Sequence, residues 1–349
     1  MRKNLFFLGT LALLGISFFL FFMNPFNKQN NSITPLSSKE AVSQNPYADF
    51  PLSIEFQRAK SYPGSDFVIE ETLPNGTNYK QYIASYKSDG LKIYGLLSIP
   101  NSPQPEGGYP AIIFNHGYIA PSEYRTTERY VAYFGTLAAS GYVVFKPDYR
   151  GHGSSEGTAS GAYFSPDYLT DVMNALSSVE KLEYVNKDKI GMWGHSLGGF
   201  LTLRAMVISN HIKAGVIWGG VVGSYQDMYE EWWSKRRNPN PTSAQINPNN
   251  RPSRQAFMTK YGQPTKDNEF WNAISSTTYI GDVSGPIQLH HGLSDETVPD
   301  ALSKRLYDEM KAAGKEVEYF TYEGNDHNIS QSFSTAMNRS VEFFDKYLK

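Results

Sequence analysis

The chain has 349 residues, 40% hydrophobic and 14% aromatic, enough to bury one large core or two small ones. Its net charge of −2 offers no basic field, so nucleic acid is not an expected partner. There is no cysteine, which excludes disulfides, thiolate metal sites and a cysteine nucleophile.

The chain opens on Arg2 and Lys3, then carries no charge until Lys28. Leu5 to Met23 is apolar except for Gly9, Thr10, Gly15 and Ser17. As a helix this segment would rise roughly 28 Å, close to the thickness of a bilayer core. Basic residues ahead of it predict a signal anchor over 1–27 that leaves the rest of the chain outside the cytoplasm. The alternative is secretion after signal cleavage, but the segment is long and no A-x-A pattern follows it. Residues 28–65 are rich in Asn, Ser, Pro and Gln and read as a flexible linker. The remainder, 66–349, reads as one domain.

Within it, strands and helices alternate. Tyr79 to Tyr86 and Leu91 to Ile99 flank the turn Ser88-Asp89-Gly90 and are expected to pair antiparallel at a sheet edge. Ala111 to Phe114 and Tyr142 to Phe145 are short apolar runs suited to buried strands, with helical spacing between them from Arg129 to Ala139. A helix is predicted over Pro166 to Val179, then a strand at Ile190 to Trp193 and a helix from Phe200 to Ile208. Strands Ala214 to Trp218, Ile287 to His290 and Val317 to Tyr322 follow, with helices at Asp300 to Ala313 and Ser332 to Leu348. Alternation at this spacing implies an α/β fold with a mostly parallel sheet flanked by helices. Residues 220–282 break the rhythm. They carry Trp232, Trp233, Trp271, Tyr225 and Tyr229, with helical pieces near 225–235 and 254–261, and read as a small helical cap over the ligand site.

Gly194-His195-Ser196-Leu197-Gly198 matches G-x-S-x-G between a short apolar strand and a helix. The string alone does not decide. At roughly 7% usage of Gly and of Ser, chance supplies ~0.1 matches in a chain this long, and this one has a second at Gly153-Ser154-Ser155-Glu156-Gly157. That second match lies in a polar stretch with no helix after it. Context therefore selects Ser196 as nucleophile and leaves Ser155 in a loop.

A serine hydroxyl needs a base, usually a histidine oriented by a carboxylate. His327 follows the last strand, where a loop can carry an imidazole back over the nucleophile, and it is the predicted base. Asp295 is the first carboxylate after the preceding strand and the predicted acid; Glu296 is the runner-up. Asp326 adjoins His327, and neighbouring side chains diverge. Of the other histidines, His211 lies too near Ser196 in sequence, His290 reads as packing and His291 as shaping its loop. The N–H of Leu197 and of Tyr118, in Asn115-His116-Gly117-Tyr118, are the predicted oxyanion donors, with His116 supporting that loop. No cofactor or metal is implied: His290 and His291 are adjacent and cannot face one ion, and no dinucleotide fingerprint occurs.

These motifs resemble the α/β-hydrolase superfamily, and within it the prolyl-oligopeptidase-like and acetyl-xylan-esterase-like serine hydrolases. The likeness also covers Ser88 to Gly95, Asp148-Tyr149-Arg150-Gly151-His152-Gly153-Ser154, and His291 to Asp295 with Val298-Pro299. It implies an α/β-hydrolase fold, an acyl-enzyme mechanism and a structural rather than catalytic role for Asp148 to Gly153. Oligopeptidases of this branch carry a β-propeller that residues 24–75 cannot build, and the related dienelactone hydrolases use a cysteine. The expectation is therefore a carboxylesterase acting on a small ester. A serine peptidase acting on short peptides is the alternative, and an acyltransferase or a non-catalytic binding protein stands further off. Glu230 and Glu231, which could grip a peptide terminus, read as a solvated helix face.

Overall fold

The computed structural model describes residues 45–234 and 254–349. The predicted anchor segment, 1–27, lies outside them, as does the first part of the predicted linker. Among the described residues no helix is long and apolar enough to cross a membrane.

The described part of the predicted linker is not a tether. Helix α1 (Ile54–Ala59) forms there, capped by Ser53, whose Oγ accepts the Phe56 N–H at 3.0 Å. Leu52 and Ile54 are buried in the main core. The buried Arg204 reaches into this segment and donates to Gln57 Oε1 (2.6 Å), to the Leu52 carbonyl and to the Ile274 carbonyl (2.6 Å).

Strands β1 (Val68–Gly76), β2 (Tyr79–Ser88), β3 (Leu91–Pro100), β4 (Tyr109–Asn115) and β5 (Val143–Pro147) lead into β6 (Val185–His195), β7 (Ala214–Trp218), β8 (Ile287–Gly292) and β9 (Val317–Tyr322). They form one sheet in the order β1-β2-β3-β5-β4-β6-β7-β8-β9. The β1–β2, β2–β3 and β3–β5 pairs are antiparallel, and every pair from β5 to β9 is parallel. The expected hairpin is β2–β3, running from Tyr79↔Pro100 to Ser88↔Leu91. The sequence reading missed β1, an edge strand exposed along most of its length that shows no inward-facing alternation.

Helices α2 (Val131–Ala139) and α9 (Phe333–Leu348) cover one face of the sheet. Helices α3 (Asp167–Val179), α4 (Leu197–Ile208) and α8 (Asp300–Ala312) cover the other. Period-two alternation divides the core: in β4, Ala111 and Ile113 face the α3/α4 side while Ile112 and Phe114 face the α2/α9 side.

The cap region contains α5 (Tyr225–Asp227), a wider π-turn over Met228–Trp233, α6 (Arg254–Tyr261), α7 (Glu269–Ile274) and a 3₁₀ stretch over Ser276–Asp282. Its described aromatic residues pack inward. Trp271 is buried and donates from Nε1 to the Gly262 carbonyl, and Trp233 lies 5.8 Å from Phe164.

Candidate active site

Ser196 sits between β6 and α4 with φ 55° and ψ −118°, a strained backbone for a residue with a side chain. Its N–H is held by the Trp218 carbonyl (3.0 Å) and its carbonyl accepts from Val221 N–H (3.1 Å). The turn is possible because position 198 is glycine: a Cβ there would collide with the Asn115 backbone of the neighbouring strand. The strained turn raises the serine at the end of the parallel strands. It also opens α4 at Leu197, whose N–H, in the first turn, has no acceptor within the helix.

His327 and Ser196 line one cavity of about 550 Å³. His327 Nδ1 donates to Asp295 Oδ2 at 2.6 Å. That bond places the proton on Nδ1 and leaves Nε2 as the acceptor a serine hydroxyl requires. Gly219, at φ +50°, makes room for the ring, since a Cβ there would stand 3.0 Å from His327 Nδ1. Two residues on, the buried Ile329 takes a left-handed φ of 54°, fixing the end of the loop.

The Asp295 side chain is shut off from solvent, and both of its oxygens are occupied. Oδ1 accepts the N–H groups of Thr297 (2.8 Å) and Val298 (2.9 Å). Oδ2 accepts from His327 and, at 3.2 Å, from His291 Nε2. Burial alone would raise this carboxyl. The hydrogen bonds from His291 and His327, the nearby His327 ring and the Val298 N–H outweigh it and hold the group well below the ordinary carboxylate range. Asp326, set aside above, spends its oxygens on Asn328 and Ser330 of its own loop.

Gly117 N–H donates to Tyr130 Oη at 3.0 Å, and the next residue of that loop, Tyr118, lines the cavity. His116 is buried, stacked between Tyr124 and Tyr149 at ring separations of 4.7 and 4.2 Å, and bonded through Nδ1 to the Gly117 carbonyl. Asp148 accepts from Tyr124 Oη and Thr126 Oγ1, and Arg150 pairs with Asp171 at 2.7 Å, so this loop is built as structure. Ser155 Oγ accepts the Tyr94 N–H at 2.9 Å and does not line the cavity.

Two expectations need correction. Among the described residues, none from 220–282 lines the cavity beside Ser196. Its walls come from Gly117 to Ala120, Glu123, Arg129, Tyr130 and Tyr133, with Thr297 and Asn328. The cap aromatics instead pack edge-on or tilted against neighbouring rings, Trp232 on Tyr163, Trp233 on Phe164 and Tyr225 on Phe200. Of Glu230 and Glu231, read as a solvated face, Glu230 is exposed but Glu231 is not. Glu231 is 20% exposed and bonded to Arg305 at 2.6 Å, with Glu230 at 3.8 Å and Asp227 on the same guanidinium.

Two residues at the site escaped the sequence reading, His195 and Tyr130; His291, read as shaping its loop, binds the Val298 carbonyl and stands 3.2 Å from Asp295 Oδ2. Their roles depend on tertiary neighbours. The one available signal was that His195 adjoins the nucleophile.

Fold and site together define an α/β-hydrolase. The family model for the prolyl oligopeptidase family matches residues 129–349, and the chain belongs to that family. It is a serine hydrolase. Ser196, Asp295 and His327 all fall within the match. The chain is 28% identical over 247 residues to "Uncharacterized peptidase YtmA" of Bacillus subtilis, covering 69% of this chain and 83% of that protein. An acetyl xylan esterase from Paenibacillus sp. R4 superposes with a TM-score of 0.61 at 18% identity, over 86% of this chain and 95% of the other. A Pyrococcus horikoshii acylaminoacyl peptidase superposes with a TM-score of 0.59 at 23% identity, over 78% of this chain. The chain spans only 42% of that peptidase, and 39% of a second Bacillus subtilis relative, "Uncharacterized peptidase YuxL".

Proposed function

We propose that this protein hydrolyses small carboxylic esters through Ser196, His327 and Asp295. The observation that carries the reading is the 2.6 Å bond from His327 to the buried Asp295, in the wall of the cavity that also holds Ser196 on its strained turn. Ser196 Oγ attacks the ester carbonyl carbon while His327 Nε2 takes its proton. The N–H groups of Leu197 and Tyr118 receive the oxyanion. The intermediate collapses as the alcohol leaves with the proton from His327, and the acyl group stays on Ser196. Water then attacks with the same residues in the same roles, releasing the acid.

Two features favour an ester over a peptide. The wall of Tyr118, Ile119, Ala120, Tyr130 and Tyr133 suits an uncharged acyl group. Arg305 already occupies Glu231, and neither Glu230 nor Glu231 lines the cavity, which leaves them poorly placed to grip a peptide amine. The second reading, a peptidase acting on short peptides, draws on Glu123 and Arg129, a pair of opposite charges at the same cavity that could meet a zwitterion. Turnover of p-nitrophenyl acetate and butyrate against short peptide p-nitroanilides separates the two. The ester reading expects kcat/KM at least a hundredfold higher on esters, and the reverse order would replace it with the peptidase.

We also propose that residues 1–27 tether the enzyme to a membrane with the hydrolase domain outside the cytoplasm. Support comes from Arg2 and Lys3 ahead of an apolar segment of spanning length. Full-length protein should sediment with membranes and be cut by protease added to intact cells. Recovery in the soluble cytoplasmic fraction would contradict the tether.

A further inference from the structure

We propose that His195 is a positioning residue that ties the base loop to the oxyanion loop through one hydrogen-bond relay, from Gly117 N–H to Tyr130 Oη to the His195 ring to the His327 carbonyl. The proposal rests on the serine-hydrolase reading of Ser196 and His327. The three links measure 3.0, 2.8 and 3.0 Å.

Both ends of the relay have only one possible role. The His327 carbonyl can only accept, so His195 Nε2 carries the hydrogen. The Gly117 N–H can only donate, so Tyr130 Oη accepts it and turns its own hydrogen toward His195 Nδ1. With the imidazole neutral, these ends leave it a single tautomer. Its surroundings keep it so. His195 is 3% exposed. Burial, and then the neighbouring His327, push its imidazole down to about 3. The titratable groups around it are Tyr130 just before α2 and Tyr133 within it, His327 of the base loop, His291 of β8 and Asp295 in the loop after it.

The backbone is strained to complete this link. Arg129 and Tyr130 are consecutive non-glycine residues in the left-handed region, at φ 56° and 53°. Such strain persists only where surrounding contacts over-determine it. Here the excursion turns the Tyr130 ring inward against Phe114 and Trp193, with its hydroxyl under Gly117. Gly117 directly precedes the proposed donor Tyr118, and His327 is the proposed base. Asp295 fixes the tilt of the His327 ring; the relay fixes the backbone that carries it, relative to the loop that receives the oxyanion. Loosening the relay should therefore slow chemistry more than it weakens substrate binding, because small misplacements of reacting groups cost rate steeply.

The test is a double-mutant cycle on turnover of p-nitrophenyl acetate, with Tyr130→Phe, His195→Phe and the double variant, alongside His195→Gln. A glutamine amide N–H can stand where Nε2–H stood. Each Phe variant should lower kcat by about 10- to 100-fold with KM within about threefold, and the double variant should lose no more than the worse single one. His195→Gln should recover about tenfold over His195→Phe. Losses that multiply, a rise in KM at unchanged kcat, or Gln no better than Phe would each overturn the relay. Should these variants not fold, nitrogen NMR of the wild-type imidazoles decides. His195 should be an Nε2–H tautomer that does not titrate between about pH 5 and 9. An Nδ1–H tautomer, or titration in that range, would overturn the relay. Wild-type turnover abolished by Ser196→Ala tests the hydrolase reading separately. If the wild type turns over nothing, that reading fails while the NMR result still stands for or against the relay.

Discussion

His291 and His327 share one carboxylate oxygen, Asp295 Oδ2, at 3.2 and 2.6 Å. His291 is fixed in turn, with Ser303 Oγ on Nδ1 and the Val298 carbonyl on Nε2. Asp295 therefore arrives at His327 already oriented. Asp295→Asn keeps the shape but offers an amide where His327 needs an acceptor. It should lower kcat by about 10³- to 10⁴-fold while leaving the fold intact, read by steady-state kinetics beside circular dichroism. A loss under tenfold would remove Asp295 from the mechanism.

The two G-x-S-x-G strings should separate cleanly. Ser155→Ala removes one hydrogen bond to Tyr94 N–H, a cost of about 1 kcal/mol in stability, and should keep ester turnover within about twofold. Ser196→Ala should abolish it. Parallel assays with thermal melts check this, and equal losses would overturn the choice of nucleophile.

Arg204 is a buried guanidinium whose hydrogen bonds go to Gln57 and the carbonyls of Leu52 and Ile274. It joins α4 to the segment carrying α1 and to the cap. Arg204→Met keeps much of the volume but strips those acceptors of their donor, which should cost about 2–4 kcal/mol in urea unfolding. Limited proteolysis should then cut first within residues 45–60. A variant as stable and as resistant as wild type would contradict this.

Glu309 marks a pH-dependent weakness. Burial, and then the charge of Asp227, push its carboxyl up to about 7 from an ordinary 4.5, against the pull of Arg305. Oε2 has no hydrogen-bond partner. A raised carboxyl contributes its stability below its unfolded value and loses it as pH rises through the folded one. Glu309→Gln should thus change little at about pH 4.5 and stabilise the protein at pH 8 by about 1–2 kcal/mol, after allowance for its partial exposure. Thermal melts at both pH values check this, and an equal effect at both would contradict it.

Much of this architecture is legible in the sequence because buried parallel strands and their helices leave strong local patterns. Ala111 to Phe114 is apolar throughout, since both faces of β4 are covered, and the end of α2 is marked by Gly141. Ser196, Asp295 and His327 could be singled out as candidates because chain order and strand ends constrain where a base and an acid can sit. What stayed hidden lacks a local signature. Strand β1 faces solvent and alternates with nothing. Helix α1 is a single short turn in a polar stretch, held by an arginine far along the chain. The left-handed Arg129-Tyr130 pair runs against the preference of both residues, so no propensity reveals that Tyr130 meets His195. The cap aromatics looked like a substrate wall because aromatic composition reads the same whether a ring meets a ligand or another ring.

The central claim is that Ser196 is an activated nucleophile served by His327. Its most direct test is peptide-mapped mass spectrometry after exposure to a fluorophosphonate, which reacts with serines whose proton is taken by a base. The account predicts one adduct, on Ser196, strongly reduced in His327→Ala. No adduct on folded wild-type protein, or an adduct on Ser155, would contradict it.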